Sequence, residues 1–336
     1  MRYLFATLLT LSLVSCDAWV DETLGGPTFT PPAITWERVA GAPLARFEGQ
    51  SAVVADKFYV FGGYTDSSII PKSFEANVYD PATDTWERLP DMPRPMTHAG
   101  TAVASEDIYL AGGVVGSPDA SREAKLPASD EVWRYNTRTQ TWSAMPPLPE
   151  PRGAGALVAL GGALHYFGGT GDDRYQETGE HWVLPLDGSS SWEARASLLN
   201  PRNHLAGIVV DNVIYAVGGQ HGHNETLVTQ ASVERYDPEQ DRWVELASLP
   251  YGLGHVNSST VEVDGRIFAV GGETSGYEVY TDNVLVYDPE RDVWSQTTPF
   301  PRAENSLMGG AIGNRIYITG GSEGSLWTWQ GTVLAE

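Results

Sequence analysis

Ile214-Tyr215-Ala216-Val217-Gly218-Gly219, followed by Tyr236-Asp237-Pro238-Glu239-Gln240-Asp241-Arg242-Trp243, decides the fold of this 336-residue chain. An apolar, β-branched run ends at a glycine pair, which reads as a strand stopped by a turn. A Tyr and a Trp then stand seven residues apart across an Asp-Pro turn, which places them on the two strands of a hairpin.

The same unit recurs along the chain, and an internal repeat outranks every other signal. Glycine pairs fall at Gly62-Gly63, Gly112-Gly113, Gly168-Gly169, Gly218-Gly219, Gly271-Gly272 and Gly320-Gly321, each after an apolar run such as Phe58-Tyr59-Val60-Phe61 or Ile267-Phe268-Ala269-Val270. Tryptophans keep the same rhythm at Trp36, Trp86, Trp142, Trp192, Trp243 and Trp294. Tyr79, Tyr135, Tyr236 and Tyr287 each precede a repeat Trp by seven residues, whereas the third copy has Leu186 and a shorter turn.

Gly-Gly, then Tyr, then Trp resembles the Kelch repeat, over about residues 34–336. The resemblance implies an all-β, six-bladed Kelch-type β-propeller with four antiparallel strands per blade, the first strand innermost. A lone blade leaves both faces exposed, and ring closure buries them against neighbours. Trp36 precedes the first glycine pair, and no repeat Trp follows the last at the expected distance. The two ends therefore complement each other. Residues 34–39 are expected to supply the outer strand of blade six, and Leu326 to Leu334 its third strand, so that no edge is left open.

Ahead of the repeats, Met1-Arg2 leads into the apolar stretch Tyr3 to Val14, too short to span a bilayer as a helix. It reads as a secretory signal over residues 1–15. Its end, Leu13-Val14-Ser15-Cys16, resembles the bacterial lipoprotein signal, which implies cleavage before Cys16 and acylation of that residue. Cys16 is the only cysteine, so an intrachain disulfide and a Cys₄ zinc site are excluded. Residues 16–33, rich in Gly, Pro and Thr, read as a lipid-anchored tether. The expected location is a bacterial cell envelope, facing the periplasm or the exterior, with the choice of membrane open. The formal net charge of −22 disfavours nucleic acid and adhesion to anionic lipid other than through the anchor. The chain is expected to be monomeric.

Strands alternate in direction, so the loops after the glycine pairs and the loops after the repeat tryptophans leave one face. The former are long and varied: Val114 to Asp130, Thr170 to Glu180, Gln220 to Ala231 and Glu273 to Thr281. The opposite face carries short turns such as Asp264-Gly265 and Gly313-Asn314. Long variable loops on one side of a regular scaffold mark the binding face. Arg46, Arg94, Arg152, Arg202 and Arg302 precede innermost strands on that side, with His255 in the fifth copy, and Glu48, His98, His204, Glu273 and Glu304 lie nearby. As ligand-binding candidates these residues suit a carboxylate- or sulfate-bearing ligand such as an acidic sugar, because guanidinium binds oxyanions in bidentate fashion. The competing role for such arginines is to hold loop carbonyls and acids.

His204, His221, His223 and His255 should fall in one sector, and imidazole suits Zn, Cu or Fe. A His-x-His in a loop is nevertheless a common surface pattern, and neither a metal nor another cofactor is expected. The spacing of Asp173, Glu177 and His181 looks like the iron ligands of plant specifier Kelch proteins, yet it runs into a strand rather than along a helix. Galactose-oxidase chemistry, which needs a Cys–Tyr crosslink, is excluded. Gly271 to Gly276 and Thr281 to Leu285 are similar to a segment of bacterial sialic-acid mutarotases, but the loop lacks the Arg that family places there. No nucleophile elbow is present. A non-catalytic binding or interaction module, for a protein or an anionic carbohydrate-like ligand, is favoured. A carbohydrate-active enzyme is the alternative, and catalytic residues are not assigned.

Overall fold

The computed structural model describes residues 29–65, 73–116, 127–171, 176–223, 226–276, 278–322 and 324–335. Cys16, the signal and most of the tether lie outside these residues, as does Asp173.

Among the described residues, six four-stranded antiparallel sheets form the blades, and three short two-stranded sheets lie beside them. Blade one runs outward through Gln50–Val54, Lys57–Phe61, Ala76–Asp80 and Thr85–Arg88. Blade four repeats it with Ala206–Val210, Val213–Val217, Val233–Asp237 and Arg242–Glu245. The first strands of the six blades neighbour one another in a closed circuit. The ring shuts as the order of markers requires. Ile34–Val39 pairs antiparallel with Thr328–Val333, with Trp36 opposite Gly331, and completes blade six.

The repeat markers are the residues that join one blade to the next. The second glycine of each pair donates its N–H to a carbonyl of the following blade: Gly63 to Met96, Gly113 to Arg152, Gly169 to Arg202, Gly219 to Leu253, Gly272 to Glu304 and, across the closure, Gly321 to Arg46. Both residues of the pair have positive φ, and a Cβ on the first would collide with that same carbonyl, so a side chain is excluded twice over.

On the rim, Tyr236 and Trp243 clamp the blade before. The Tyr236 hydroxyl donates to Asp241 Oδ1 at 2.6 Å, the same oxygen accepts Ala196 N at 2.9 Å, and Trp243 Nε1 donates to Ala196 O at 3.0 Å. Tyr79–Asp84–Trp86 holds Ala40 in the same way, and Tyr287–Asp292–Trp294 holds Ala247. Apolar clusters fill the spaces between blades, for example Val217, Leu249 and Leu253 against Ile267, Ala269 and Tyr287.

Candidate functional site

One position per blade builds the centre of the loop face. Glu48, His98, Ala154, His204, His255 and Ser306 all adopt φ between 50° and 56°. Five of them follow a residue that bridges to the segment after its own glycine pair, as in Phe47 with Tyr64, Thr97 with Val114 and Asn203 with Gln220, and in blade six Ser322 N donates to Asn305 O at 3.2 Å. The six join by main-chain hydrogen bonds around the axis. His98 N donates to Glu48 O (3.5 Å), Ala154 N to His98 O (2.9 Å), His204 N to Ala154 O (2.8 Å), Ser306 N to His255 O (3.3 Å) and Glu48 N to Ser306 O (3.1 Å). Repeated strain of this kind persists because the surrounding sheet determines it.

The side chains at this ring converge. Glu48 Oε2 lies 2.7 Å from His98 Nε2, and Glu48 Oε1 lies 3.2 Å from His255 Nε2. His255 Nδ1 lies 2.8 Å from Glu273 Oε2. The His204 ring packs against His255 at 4.2 Å between centroids and against His98 at 4.9 Å. Small Ala154 and Ser306 separate the two halves of the cluster. Directly behind the ring, the axial channel holds a cavity of about 120 Å³ lined by small and polar residues including Ser51, Thr101 and Ser258.

Burial and neighbours set the charges. Burial pushes the Glu48 carboxyl up, but His98 and His255 outweigh it and hold the group well below the usual carboxylate range. Burial opposes charge on His255, yet hydrogen bonds to Glu273 and Glu48 raise it to about 9. Burial, reinforced by His255 and His98, pulls His204 well below an ordinary histidine. The centre is thus a carboxylate beside an imidazolium, with one neutral imidazole across from it.

The arginines do not share this position. Arg46, Arg152 and Arg202 stand two residues before a ring residue, and Arg94 and Arg302 stand four before. Arg202 is fully buried. Its Nε donates to Gly218 O (2.6 Å), and its terminal nitrogens reach Asn200 O (2.7 Å), Ala216 O (3.1 Å) and Glu234 Oε1 (2.5 Å). Burial lowers its pKa and Glu234 pushes back. Arg46, pulled down to about 10 by burial, bonds the carbonyls of Gly62 and Glu75 and the Asn77 side chain. Arg152 lies 3.0 Å from Glu150 and 3.3 Å from Glu180. Arg94 pairs with Glu131 at 2.8 Å, and Arg302 pairs with Glu304 at 3.0 Å while lying over Trp327. Carbonyls and acids of the arginines' own surroundings take most of their donors, the buried Arg152 Nε excepted, which is the competing role named for them above.

The histidine sector forms with a changed membership. His223 lies beside His204 at 5.8 Å between centroids, but His221 turns to Asn200, with Nε2 2.8 Å from Oδ1. Glu177 binds Asn203 Nδ2 and Gly222 N, while His181 is buried in the strand His181–Pro185 with Nε2 3.0 Å from His165 Nδ1. Those two residues therefore serve separate places. Glu48 and His98, placed among the anion-binding candidates by sequence, are the side chains that meet His204 and His255. The signal that finds them is register. Glu48, His98, Ala154, His204 and Ser306 each stand fourteen residues before their glycine pair, and His255 stands sixteen before. The turn at residues 257–259 absorbs the two extra residues.

Two larger grooves open on the same face. One of about 650 Å³ lies among Glu150, Arg152, Glu177, Glu180 and Pro201. The other, about 550 Å³, is lined by Leu227, Val228, Thr229, Tyr251, Thr274 and Asn283.

The model of the KLHDC2/KLHL20/DRC7 Kelch-repeats domain matches residues 28–192 and 98–321, together most of the chain. The chain belongs to the Kelch-repeat family. It is 27% identical to beta-scruin of Limulus polyphemus over 233 residues, which is 66% of this chain and 24% of that protein. It is 29% identical to Kelch-like protein 35 of Mus musculus over 218 residues, 64% of this chain and 35% of that protein. The Kelch repeat-containing protein At3g27220 of Arabidopsis thaliana is 26% identical over 311 residues, 86% of this chain and 71% of that protein. The chain thus spans a quarter to a third of the first two relatives and most of the third. Among solved structures, that of YjhT superposes with a TM-score of 0.70 at 14% identity, covering 88% of this chain and 95% of that one. That likeness speaks for the propeller fold alone.

Proposed function

We propose that this Kelch propeller is a binding module that takes a protein partner across its loop face, over blades three to five. The observation that carries the reading is the groove of about 550 Å³ between the loops of blades four and five. Its wall joins the exposed Val228 to a Tyr251 hydroxyl that accepts from Asn283 Nδ2 at 2.7 Å. An apolar wall beside fixed polar groups suits an inserted side chain. The acids around the neighbouring groove and the net charge of −22 favour a partner that brings basic residues. A sugar-acting enzyme draws less support, because Glu273 is buried against His255 and Arg46 and Arg202 are spent on carbonyls.

The module is proposed to work at a cell envelope, held by acylated Cys16; the apolar run that ends at that residue supports this. Selection of displayed peptides on the full chain in detergent tests the binding reading, run beside a glycan and sugar-acid screen. A peptide family whose binding falls at least ~10-fold in Tyr251→Ala and Val228→Asp supports it. Binders that ignore both substitutions, or sugar-acid hits alone, refute it. Mass spectrometry of the chain and of Cys16→Ala tests the anchor.

A further inference from the structure

The ring brings three potential ligands from three different blades to one point. Glu48, His98 and His204 each offer a ligand atom, and these atoms all lie within 4.8 Å of one another. Atoms bound to one zinc-sized ion at about 2.1 Å sit roughly 3–4 Å apart. Side-chain rotations that shift each atom by about an ångström close that difference.

Two further observations point to a ligand. His98 Nδ1 and His204 Nε2 are buried and have no hydrogen-bond partner, on rings only 5% and 4% exposed. Such atoms are costly to leave unmet. The outer contacts also fix which nitrogen of His204 is available. Asn203 Nδ2 donates to Glu177 Oε1 at 3.2 Å, which turns Asn203 Oδ1 toward His204 Nδ1 at 2.5 Å. An amide oxygen only accepts, so Nδ1 carries the proton and Nε2 keeps its lone pair. His255 is anchored likewise, with Nδ1 on Glu273 and Nε2 holding Glu48. Among the ligands, His204 thus has the arrangement that metal ligands require, an imidazole oriented through Nδ1 by an outer amide, while His98 Nδ1 is free of such a contact.

We propose that the axis of the loop face binds one divalent transition-metal ion of the zinc or ferrous class through Glu48, His98 and His204. Asn203 and His255 act as positioning residues. Two imidazoles select against calcium and magnesium, and the carboxylate selects against soft cuprous ion. Glu48, 14% exposed, keeps the site in reach of solvent on the face where the grooves open. The site is separate from the groove assigned above to a protein partner and stands or falls without it.

The test is titration of the tag-free full chain in detergent, stripped with a chelator, with cobalt(II) followed by zinc(II). The expected result is one cobalt per chain, visible ligand-field absorption, and its loss as zinc displaces the cobalt. X-ray absorption of the zinc form should show nitrogen and oxygen neighbours, including two imidazoles. His204→Gln and His98→Gln should each weaken binding at least ~10-fold, and Asn203→Ala should weaken it ~10–100-fold while keeping the stoichiometry and the absorption bands. His221→Ala should leave binding unchanged. No stoichiometric binding up to millimolar metal, a sulfur neighbour, or binding that survives His204→Gln and His98→Gln overturns the proposal. Should a variant fail to fold, the wild-type stoichiometry and ligand count decide alone.

Discussion

Arg202→Met separates an arginine that holds the fold from one that waits for an anion. The guanidinium is completely buried and meets one carboxylate and three carbonyls, those of Gly218, Asn200 and Ala216. Methionine follows the aliphatic stem but supplies no donor. Glu234 is left as an uncompensated buried charge and the three carbonyls lose a partner, and breaking such a pair costs about 3–5 kcal/mol. At about 2 °C per kcal/mol for a domain of this size, the melting temperature should fall by roughly 6–10 °C. Arg94→Met is the matched control: this side chain is 45% exposed and its partner Glu131 29%, so its loss should cost under ~1 kcal/mol. The double change Arg202→Met with Glu234→Leu should recover only part of the loss. Glu234 also accepts the N–H groups of Leu199 (2.8 Å) and Asn200 (3.3 Å), so about 1–3 kcal/mol should remain for those orphaned donors. Urea unfolding followed by tryptophan fluorescence reads all three variants. An Arg202→Met protein within ~1 kcal/mol of wild type would refute the structural reading and return this arginine to the pool of ligand-binding residues.

Three more outcomes can be checked by the same kind of measurement. Asp241→Ala removes the oxygen shared by the Tyr236 hydroxyl and Ala196 N, and should cost about 1–2 kcal/mol in urea unfolding; no change would mean the rim clamps are decorative. Deleting residues 29–40 opens the edge of the strand Thr328–Val333 and should leave only aggregated chain by size-exclusion chromatography, whereas a folded monomer with an unchanged melt would contradict closure by the N-terminal strand. Burial pulls His165 down to about 4 and His181, repelled also by His165, down to about 3, with Arg195 acting in the same direction on both. Folded pKa values below the unfolded one make the unfolded chain bind more protons. Stability is therefore full above about pH 6.5 and is lost as pH falls through about 4, by up to ~1.4 kcal/mol per pH unit for each group. His181→Phe should move the acid transition of the melt to lower pH, and an unmoved acid limb would sink this assignment.

The propeller was legible because each marker does the same physical job six times. A glycine pair stands wherever the next blade's carbonyl approaches too closely for a Cβ, so it survives even in the third copy, where the Tyr is lost. The rim clamps are legible by the same logic, and so are their gaps: Gln140 stands where Asp241 stands in blade four, and the Tyr135 hydroxyl is left without a partner. The centre was less legible. Arg94 and Arg202 both read as an arginine before an innermost strand, but a shift of two residues sends one to the half-exposed rim beside Glu131 and the other into the blade. His255 was aligned with the arginines because the fifth copy has two extra residues before its strand. The meeting of Glu48, His98 and His204 depends on a left-handed backbone at each position, which no local sequence signal announces in residues other than glycine.

That backbone feature also limits what strain can be taken to mean. Left-handed φ in a non-glycine residue commonly points to a functional site. Here Ala154 adopts it with φ 55°, although a methyl group has no chemistry to offer, and Ser306 does so with φ 56°. The conformation is therefore a property of the repeat, imposed wherever the chain turns from the inter-blade bond into the innermost strand. Function has to be sought in which side chains occupy the six equivalent places. Six large residues would crowd the axis. With Ala154 between His98 and His204, and Ser306 between His255 and Glu48, the two halves of the ring can lean together, and the His98 and His204 rings reach 4.9 Å between centroids. A symmetric backbone thus carries an asymmetric set of side chains, and the asymmetry, rather than the strain, distinguishes this axis from a structural plug.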